Sequence, residues 1–204
     1  MSGRRILAIA LVAVGLCRAG YAQKIEFTPF YGYSFSGQLK DADTGEEFEI
    51  GDSDSYGGML DIRLSEMTQL EFFFSRQETE LESDEGLFAG RRIFDLDVDY
   101  YHVGGTYIFL QGPWQPFVVG TLGATVLDPD ASGMDSVTRF SMGLGGGVRY
   151  FPTRHLGLYL GARGFLTFIG GDALFRSESG AATIEVDADG LWQVQLQAGL
   201  IFAF

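Results

Sequence analysis

WQVQLQAGLIFAF, residues 192–204, is the stretch that decides the fold of this chain. Every second residue from Trp192 onward is apolar, and the residues between them begin with three glutamines, Gln193, Gln195 and Gln197. A period of two residues is typical of a β-strand with one apolar and one polar face. A soluble protein buries the apolar face, whereas a membrane-spanning barrel turns it toward lipid and fills its lumen with polar residues. One strand does not distinguish a soluble protein from a membrane-spanning barrel, so the rest of the chain has to decide between them.

The N-terminus predicts export. Arg4-Arg5 precedes the apolar run 6–16, and Gly20-Tyr21-Ala22 places small residues where a signal peptidase reads them. A charged segment, a short apolar segment and a small-x-small site are typical of a secretory signal peptide. We therefore expect residues 1–22 to be removed, leaving one domain, 23–204. A membrane anchor is the alternative, but the apolar run is too short to span a bilayer as a helix.

Composition excludes several classes of protein. The chain carries 14 Lys and Arg against 27 Asp and Glu, a net charge of −13. Such acidity argues against nucleic acid as a partner. The single cysteine, Cys17, lies inside the predicted leader. An exported mature chain would therefore have no disulfide and must be stabilised by its size or its surroundings.

The rest of the chain alternates between strand-like segments and connections of two lengths. Eight strands are predicted, an even number, at residues 25–37, 56–64, 69–79, 94–109, 116–126, 137–151, 156–169 and 191–204. Tight turns are predicted at residues 65–68, 111–115 and 152–155, and longer links at 38–55, 80–93, 127–136 and 170–190. Barrels of the outer membrane have short periplasmic turns and long external loops. The alternation predicts the same arrangement, with both termini on the periplasmic side.

The two faces of the predicted strands support a membrane barrel. The polar faces carry too many charges for a dry core, and the apolar faces are too aromatic for a surface in water. We therefore predict an all-β fold: an eight-stranded, antiparallel, up-and-down transmembrane β-barrel. In strand 116–126, the sequence does not show which side faces the lipid. Strand 94–109 either contains a bulge near residues 100–101 or raises its aspartates above the membrane; we favour the second, since 101–109 already suffices to cross.

Four segments carry a resemblance to a known family: residues 27–33 (FTPFYGY), 70–76 (LEFFFSR), 104–109 (GGTYIF) and 199–204 (GLIFAF). Over essentially the whole mature chain, the sequence resembles the small eight-stranded OmpA/OmpX-like outer-membrane β-barrels of Gram-negative bacteria. The resemblance implies an outer-membrane location among lipid and lipopolysaccharide. It also implies that Phe204, with Phe202, is read as an assembly signal by the barrel-insertion machinery. It leaves function open, because these barrels serve as adhesins, stabilisers, enzymes and narrow pores.

An eight-stranded barrel has room inside only for its own side chains, so we expect a filled lumen and no open pore. The strand faces predict six inward charges, Glu26, Asp61, Arg63, Glu71, Arg149 and Arg163. The charges of these three acids and three bases sum to zero. Burying an unpaired charge costs free energy, so we expect these groups to form ion pairs. We expect the network to be structural. The alternative is a gated path for protons or small solutes.

The long links hold most of the remaining charge, and we expect acidic external loops that stay soluble or bind a basic partner. Divalent cations are an alternative, although no segment matches an EF-hand loop. Catalysis is not expected. The two histidines, His102 and His155, lack the His-x-Ser arrangement of lipid A deacylases, and no spacing supports a triad of His102 with Asp99 and Ser141. No cofactor or metal site is predicted.

The expected function is therefore that of a monomeric outer-membrane barrel with a structural or surface-interaction role. A narrow channel for small solutes or ions is the first alternative. A soluble lipocalin-like carrier is the second. A carrier would need Trp192, Val194 and Leu196 inside its cavity, whereas a membrane barrel needs them outside.

Overall fold

The computed structural model describes residues 25–36, 38–40, 47–50, 52–83, 91–129, 136–168, 175–176, 183–184 and 190–204. The predicted signal peptide and most of the predicted long links lie outside these residues. The strands are β1 (Ile25–Ser36), β2 (Gln38–Lys40), β3 (Glu47–Ile50), β4 (Ser53–Arg63), β5 (Thr68–Ser83), β6 (Arg91–Ile108), β7 (Trp114–Pro129), β8 (Val137–Tyr150), β9 (Leu156–Thr167), β10 (Phe175–Arg176), β11 (Thr183–Ile184) and β12 (Leu191–Ala203). In this part of the chain, no helix is long and apolar enough to cross a membrane.

The eight long strands form one closed antiparallel ring. Its order is β1, β4, β5, β6, β7, β8, β9, β12, and β12 pairs again with β1. The short strands β2 and β3 pair with each other, and β3 extends the sheet along the far end of β5. Each long strand lies within four residues of its predicted position, so the predicted barrel is confirmed.

The last strand shows which face is outside. Trp192, Val194 and Leu196 are 60%, 45% and 48% exposed, whereas Gln193 and Gln195 between them are buried. The same alternation continues around the ring and gives the barrel an apolar outer belt and a buried inner face. A soluble carrier needs the opposite arrangement. The carrier alternative is therefore wrong, and the outer belt is a surface made for lipid.

Strand β6 settles the choice left open by the sequence. Its pairing runs unbroken from Leu96 to Tyr107 with β5 and from Leu96 to Ile108 with β7, so no bulge occurs near residues 100–101. The register shifts only at Leu81/Glu82 of β5, farther along the pair. Asp97 therefore lies on the outer face, beyond the lipid-facing Tyr101. Asp97 and Asp99 therefore belong to a strand that continues past the apolar belt, which is the second of the two alternatives.

The lumen is less polar than the sequence suggested. A cluster of buried apolar side chains lies among its polar groups: Phe30, Met59, Phe73, Leu96, Val98, Tyr100, Ile108, Phe117, Val119, Leu127, Tyr159, Phe165, Leu191 and Ile201. Strand β7, whose lipid-facing side was not evident from the sequence, contributes Phe117 and Val119 to this cluster and turns Val118 outward. An eight-stranded barrel is narrow enough to fill with large side chains, so apolar residues can occupy lumen positions without meeting water.

The three turns at one end are tight and internally hydrogen-bonded. In the first, the Ser65 hydroxyl accepts bonds from the Met67 and Thr68 amides. In the third, Thr153 accepts similar bonds from His155 and Leu156. The middle turn contains Gly112 at a φ of 132°, in the range that favours glycine. These turns match the predicted short connections and hold neighbouring strands in register.

Glycines let neighbouring strands of the wall approach closely. A Cβ on the inward-facing Gly123 would overlap the Tyr101 carbonyl oxygen and would lie 2.6 Å from Cδ2 of His102. On the same strand, a Cβ on the outward-facing Gly120 would meet nothing within 4 Å. A glycine within a strand commonly marks such a backbone approach.

We predict that Gly123→Ala destabilises the barrel by about 1–3 kcal/mol, because the added methyl group forces the β6–β7 pair apart. Gly120→Ala is the matched control, and it should change the unfolding free energy by less than about 0.5 kcal/mol. Urea unfolding in lipid vesicles, followed by tryptophan fluorescence, measures both. Equal effects of the two substitutions would contradict the close approach at Gly123.

Candidate functional site

Three carboxylates stand side by side on the inner wall. Glu26 on β1 pairs in register with Asp61 on β4, and Asp61 pairs with Glu71 on β5. All three side chains are buried. Like charges directly opposite one another in a sheet are destabilising. The row therefore requires cations from the facing wall of the barrel.

Two arginines converge on Glu26. Arg149 on β8 contacts one of its carboxylate oxygens, and Arg63 donates to the other at 3.0 Å. Gln69 completes the group, donating to Glu26 at 2.8 Å and accepting from Arg149 at 2.6 Å. The Arg149 guanidinium also lies 5.1 Å from the ring centroid of Phe151. Glu26 is thus the centre of a buried network that joins β1, β4, β5 and β8.

A second pair spans the lumen. Arg163 on β9 donates to Glu71 at 2.7 Å, and the Thr106 hydroxyl donates to the other Glu71 oxygen at 3.1 Å. The guanidinium carbon of Arg163 lies 4.1 Å from the ring centroid of Phe73, a cation–π contact. Arg163 is 1% exposed. This buried pair connects two walls that do not touch through the sheet.

Asp61 differs from its neighbours. It has no ion-pair partner among the residues that the structure describes, and its Oδ1 accepts no hydrogen bond there. Nε and Nη1 of Arg163 are similarly without an acceptor. The structure therefore brings all six predicted charges into the lumen but joins only five of them in ion pairs.

Polar side chains continue the network along the barrel axis. Gln195 on β12 donates to the hydroxyls of Ser34 at 3.1 Å and Ser75 at 3.0 Å, while accepting from Gln197 at 2.5 Å. Tyr159 donates to Gln197 at 3.1 Å. These hydrogen bonds join opposite walls of the barrel above the ionic cluster. The lumen is consequently held by hydrogen bonds as well as by apolar packing.

His102 has an environment that the sequence did not suggest. Its Nε2 lies 2.8 Å from the Ser141 hydroxyl, and its Nδ1 lies 2.9 Å from the Thr121 hydroxyl. Ser141 also accepts from Thr125 at 2.8 Å. Asp99, however, faces outward and pairs with Arg76. Thr121 therefore occupies the place that a triad carboxylate would take beside His102.

The outer ends of the long strands carry an acidic rim, which we define as Asp54, Glu78, Asp97, Asp99 and Asp128. Glu78, Asp97 and Asp128 are direct register partners across β5, β6 and β7. Burial raises the pKa of the Asp97 carboxyl, and the neighbouring carboxylates Glu78, Asp99 and Asp128 act in the same direction. Carboxylates this close to one another repel, so this surface carries more negative than positive charge.

Among the described residues, one cation, Arg76, lies among these acids. Arg76 donates from Nε to Asp99 at 2.7 Å and from Nη2 to the other Asp99 oxygen at 2.5 Å, while Nη1 lies 3.8 Å from Asp97. The bidentate bond to Asp99 raises the pKa of Arg76. No group of three or more His, Cys, Asp or Glu side chains in the described ranges is arranged to hold a metal ion.

The terminal residues close the ring at the turn end. The Ala203 amide donates to the His155 carbonyl, and the Phe204 amide donates to the Ile25 carbonyl, both at 2.9 Å. Phe204 is 76% exposed, and Phe202 also faces outward. A cavity of about 420 Å³ opens beside them and reaches Glu26 and Arg63. The ionic cluster is therefore near the mouth of the barrel at the turn end, which the sequence predicts to be periplasmic.

Solved structures with the same architecture include three membrane barrels. Neisserial surface protein A aligns with a TM-score of 0.61 and 15% identity, over 91% of this chain and 100% of that chain. AlkL, an outer-membrane protein solved in lipid bilayers, aligns with a TM-score of 0.61 and 16% identity, over 91% and 92%. OprG from Pseudomonas aeruginosa aligns with a TM-score of 0.57 and 14% identity, over 90% and 96%. No family model and no curated protein matches the sequence.

The molecule is a small outer-membrane β-barrel. The closed eight-stranded ring, its apolar outer belt and the shared architecture lead to this conclusion together. At identities of 14–16%, the likeness extends to the fold and not to a partner or solute. Function has to be argued from this barrel's own lumen and rim.

We predict that Glu71→Gln destabilises the folded barrel by about 3–5 kcal/mol, because it leaves Arg163 buried without a counter-charge. Arg163→Gln should act similarly. The double variant should lose much less than the sum of the two, since neither charge then remains alone. The unfolding free energy in urea, measured in lipid vesicles, tests this.

The control is Arg76→Gln, which removes the 38% exposed member of a pair on the outer face and should cost less, about 1 kcal/mol. Strict additivity of Glu71→Gln and Arg163→Gln would show that the two groups do not act as a pair.

Proposed function

We propose that this protein is a plugged outer-membrane barrel that presents an acidic surface to a basic partner outside the membrane. The acidic rim is the observation that carries the proposal. Its register partners place carboxylates on neighbouring strands beyond the apolar belt. The proposed role involves binding and support, without catalysis.

The filled lumen supports a role at the surface instead of transport. Inward side chains from all eight long strands are buried, including the large residues Arg163, Tyr100 and Phe165. Tyr100 stacks on Phe165 with ring centroids 4.1 Å apart, and Phe30 stacks on Phe73 at 5.5 Å. Such contacts across the interior resist the opening of a continuous water path.

The length of three strands supports the surface role as well. Strands β5, β6 and β7 have 16, 18 and 16 residues, whereas about 9–11 residues suffice to cross a membrane. The extra residues raise β-structure above the lipid and hold the rim on a paired sheet. Repulsion among the rim carboxylates is relieved when a cation binds, which favours a basic partner.

The rim is tested with a fluorescent oligolysine peptide as the probe, bound to the protein in phosphatidylcholine nanodiscs. We expect affinity to fall several-fold in the Asp54→Asn/Asp128→Asn variant and to weaken as salt is added, because the attraction is electrostatic. Binding that is insensitive to both changes would contradict the proposal. Glu66→Gln, in a turn at the opposite end, is the control and should leave affinity unchanged.

A narrow ion path is the second candidate function, and Asp61 favours it. Its carboxylate is buried beside two others without an ion-pair partner among the described residues. A mobile cation or proton passing through the barrel would meet this group near the periplasmic mouth. The buried side chains on either side of the cluster favour the plugged barrel over this candidate.

We also propose that residues 1–22 form the cleaved leader and that Phe204, with Phe202, is the assembly signal. Both aromatic rings point outward, where a membrane-bound assembly factor can reach them. Deletion of Phe204 should slow the appearance of the heat-modifiable folded form in cells. Its carbonyl partner Ile25 lies in the first strand, so Phe204→Ala, which keeps that backbone bond, separates recognition from ring closure. Assembly of Phe204→Ala at the normal rate would contradict a recognition role for the ring.

A further inference from the structure

The cavity at the turn end has polar walls that the ionic cluster does not use. Its volume is about 420 Å³. The middle turn, the third turn and Arg63 at the end of β4 line it, and it reaches inward to Glu26. Because turns form so much of its wall, the cavity faces the compartment at that end of the barrel, which the sequence predicts to be the periplasm. The acidic rim lies at the other end and takes no part in this cavity.

One buried acceptor in the cavity has no donor. Gln115 lines the cavity and is 8% exposed, and its Nε2 donates to the Gly112 carbonyl at 3.1 Å. Its carbonyl oxygen, Oε1, is buried and accepts no hydrogen bond from the described residues. A buried polar atom without a partner costs free energy. A ligand that donates a hydrogen bond to this oxygen is therefore favoured.

Positive charge is in excess around the same cavity. Arg63 and Arg154 both line it, and Glu26 is the one carboxylate among the described residues that does so. Each oxygen of Glu26 is already in an ion pair, one with Arg63 and the other with Arg149. Nε of Arg63 is buried without an acceptor in the described part of the chain, and Arg154 is exposed. The cavity therefore attracts an anion, although the chain as a whole is acidic.

The other polar side chains of the lining are used within the turns. The Thr153 hydroxyl accepts from the His155 and Leu156 amides, and the Gln111 amide donates to the Glu66 carbonyl. The remaining lining is partly apolar, with Phe151 between two prolines of the neighbouring turns. A ligand can thus combine an anionic group, a hydrogen-bond donor and a small apolar part.

These three features together narrow the class of ligand. A fully ionised inorganic anion binds guanidinium groups but has no hydrogen to donate to Gln115. The carboxyl terminus of a peptide has both groups close together, because its carboxylate and the N–H of its last residue are attached to the same α-carbon. Carboxylates form strong, charge-assisted hydrogen bonds with arginine. Capture of a terminal carboxylate is also a recurring mode of peptide recognition.

We propose that this cavity binds the free carboxyl terminus of a peptide in the compartment at the turn end. The carboxylate lies between Arg63 and Arg154. The N–H of the last residue donates to Oε1 of Gln115, and the last side chain packs against Phe151.

The probe is the tripeptide Gly-Ala-Ala with a fluorophore on its N-terminus, and fluorescence anisotropy measures its binding to the protein in phosphatidylcholine nanodiscs. Two analogues each lack one feature: a C-terminal amide has no carboxylate, and an ester in place of the last peptide bond has no N–H. We expect the amide to bind about tenfold more weakly and the ester several-fold more weakly than the parent peptide. Equal binding of the three peptides would overturn the proposal. Displacement of the probe by inorganic phosphate as readily as by unlabelled peptide would mean a general anion site and would overturn it as well.

Arg154→Gln tests the carboxylate contact. This exposed side chain lies in a turn, so its loss should leave the barrel folded while reducing the preference for the free acid over the amide. Arg76→Gln makes the same change of charge at the other end of the barrel and should keep the preference. An unchanged preference in Arg154→Gln would overturn the role of this guanidinium.

Gln115→Leu tests the hydrogen bond to the ligand. The parent peptide should bind this variant no better than its ester analogue, whereas the preference for the carboxylate over the amide should remain. Gln111→Leu, a change of the same kind in the same cavity, should keep the preference for the N–H. Persistence of that preference in Gln115→Leu would overturn the assignment of Oε1. Heat-dependent gel mobility confirms folding of each variant, and the comparison of the three peptides on the unaltered protein needs no variant.

Discussion

Closure of the ring is the constraint on which the rest of the structure depends. A lipid environment offers no hydrogen bonds, so every backbone amide and carbonyl of the wall must be paired within the protein. The pairing of β12 with β1 removes the last open edge, and the Phe204–Ile25 bond secures it. Once the ring is closed and its outer face is in lipid, each strand must alternate between an apolar and an inward residue. The glutamines of β12 are inward for this reason.

The small radius then determines what the interior can be. Eight strands leave an interior just wide enough for side chains, so the inward side chains pack against one another. Charges in that space must be paired or hydrogen-bonded, and Arg149, Arg163 and Arg63 supply the partners for Glu26 and Glu71. Among the six charges predicted for the lumen, Asp61 alone is in no ion pair. Outside the belt the same strands have no such restriction, and there the acids accumulate.

Sequence reasoning predicted the ring, the strand faces and the six inward charges because a period of two residues is local information. The β12 pattern shows this most clearly. Which charge meets which partner was not predictable, since Arg163 and Glu71 are far apart in the chain and meet only across the closed lumen. From the sequence, no spacing supported a group of His102, Asp99 and Ser141. The structure brings His102 to Ser141, because their strands lie on either side of β7, and pairs Asp99 with Arg76 instead. The apolar part of the lumen was not predicted. Leu96 and Val98 alternate with acidic residues on a strand that extends beyond the membrane. In the sequence, their apolar face therefore resembles a lipid-facing face.

The central claim is that a filled, charge-paired lumen makes this barrel a scaffold for its outer surface. Planar-bilayer conductance of the refolded protein tests it most directly, with heat-dependent gel mobility showing that the barrel has formed. The account predicts a folded barrel without steady channel events across the physiological range of voltage. Steady events that change in amplitude or frequency in the Asp61→Asn variant would contradict it and would make the lumen a conducting path.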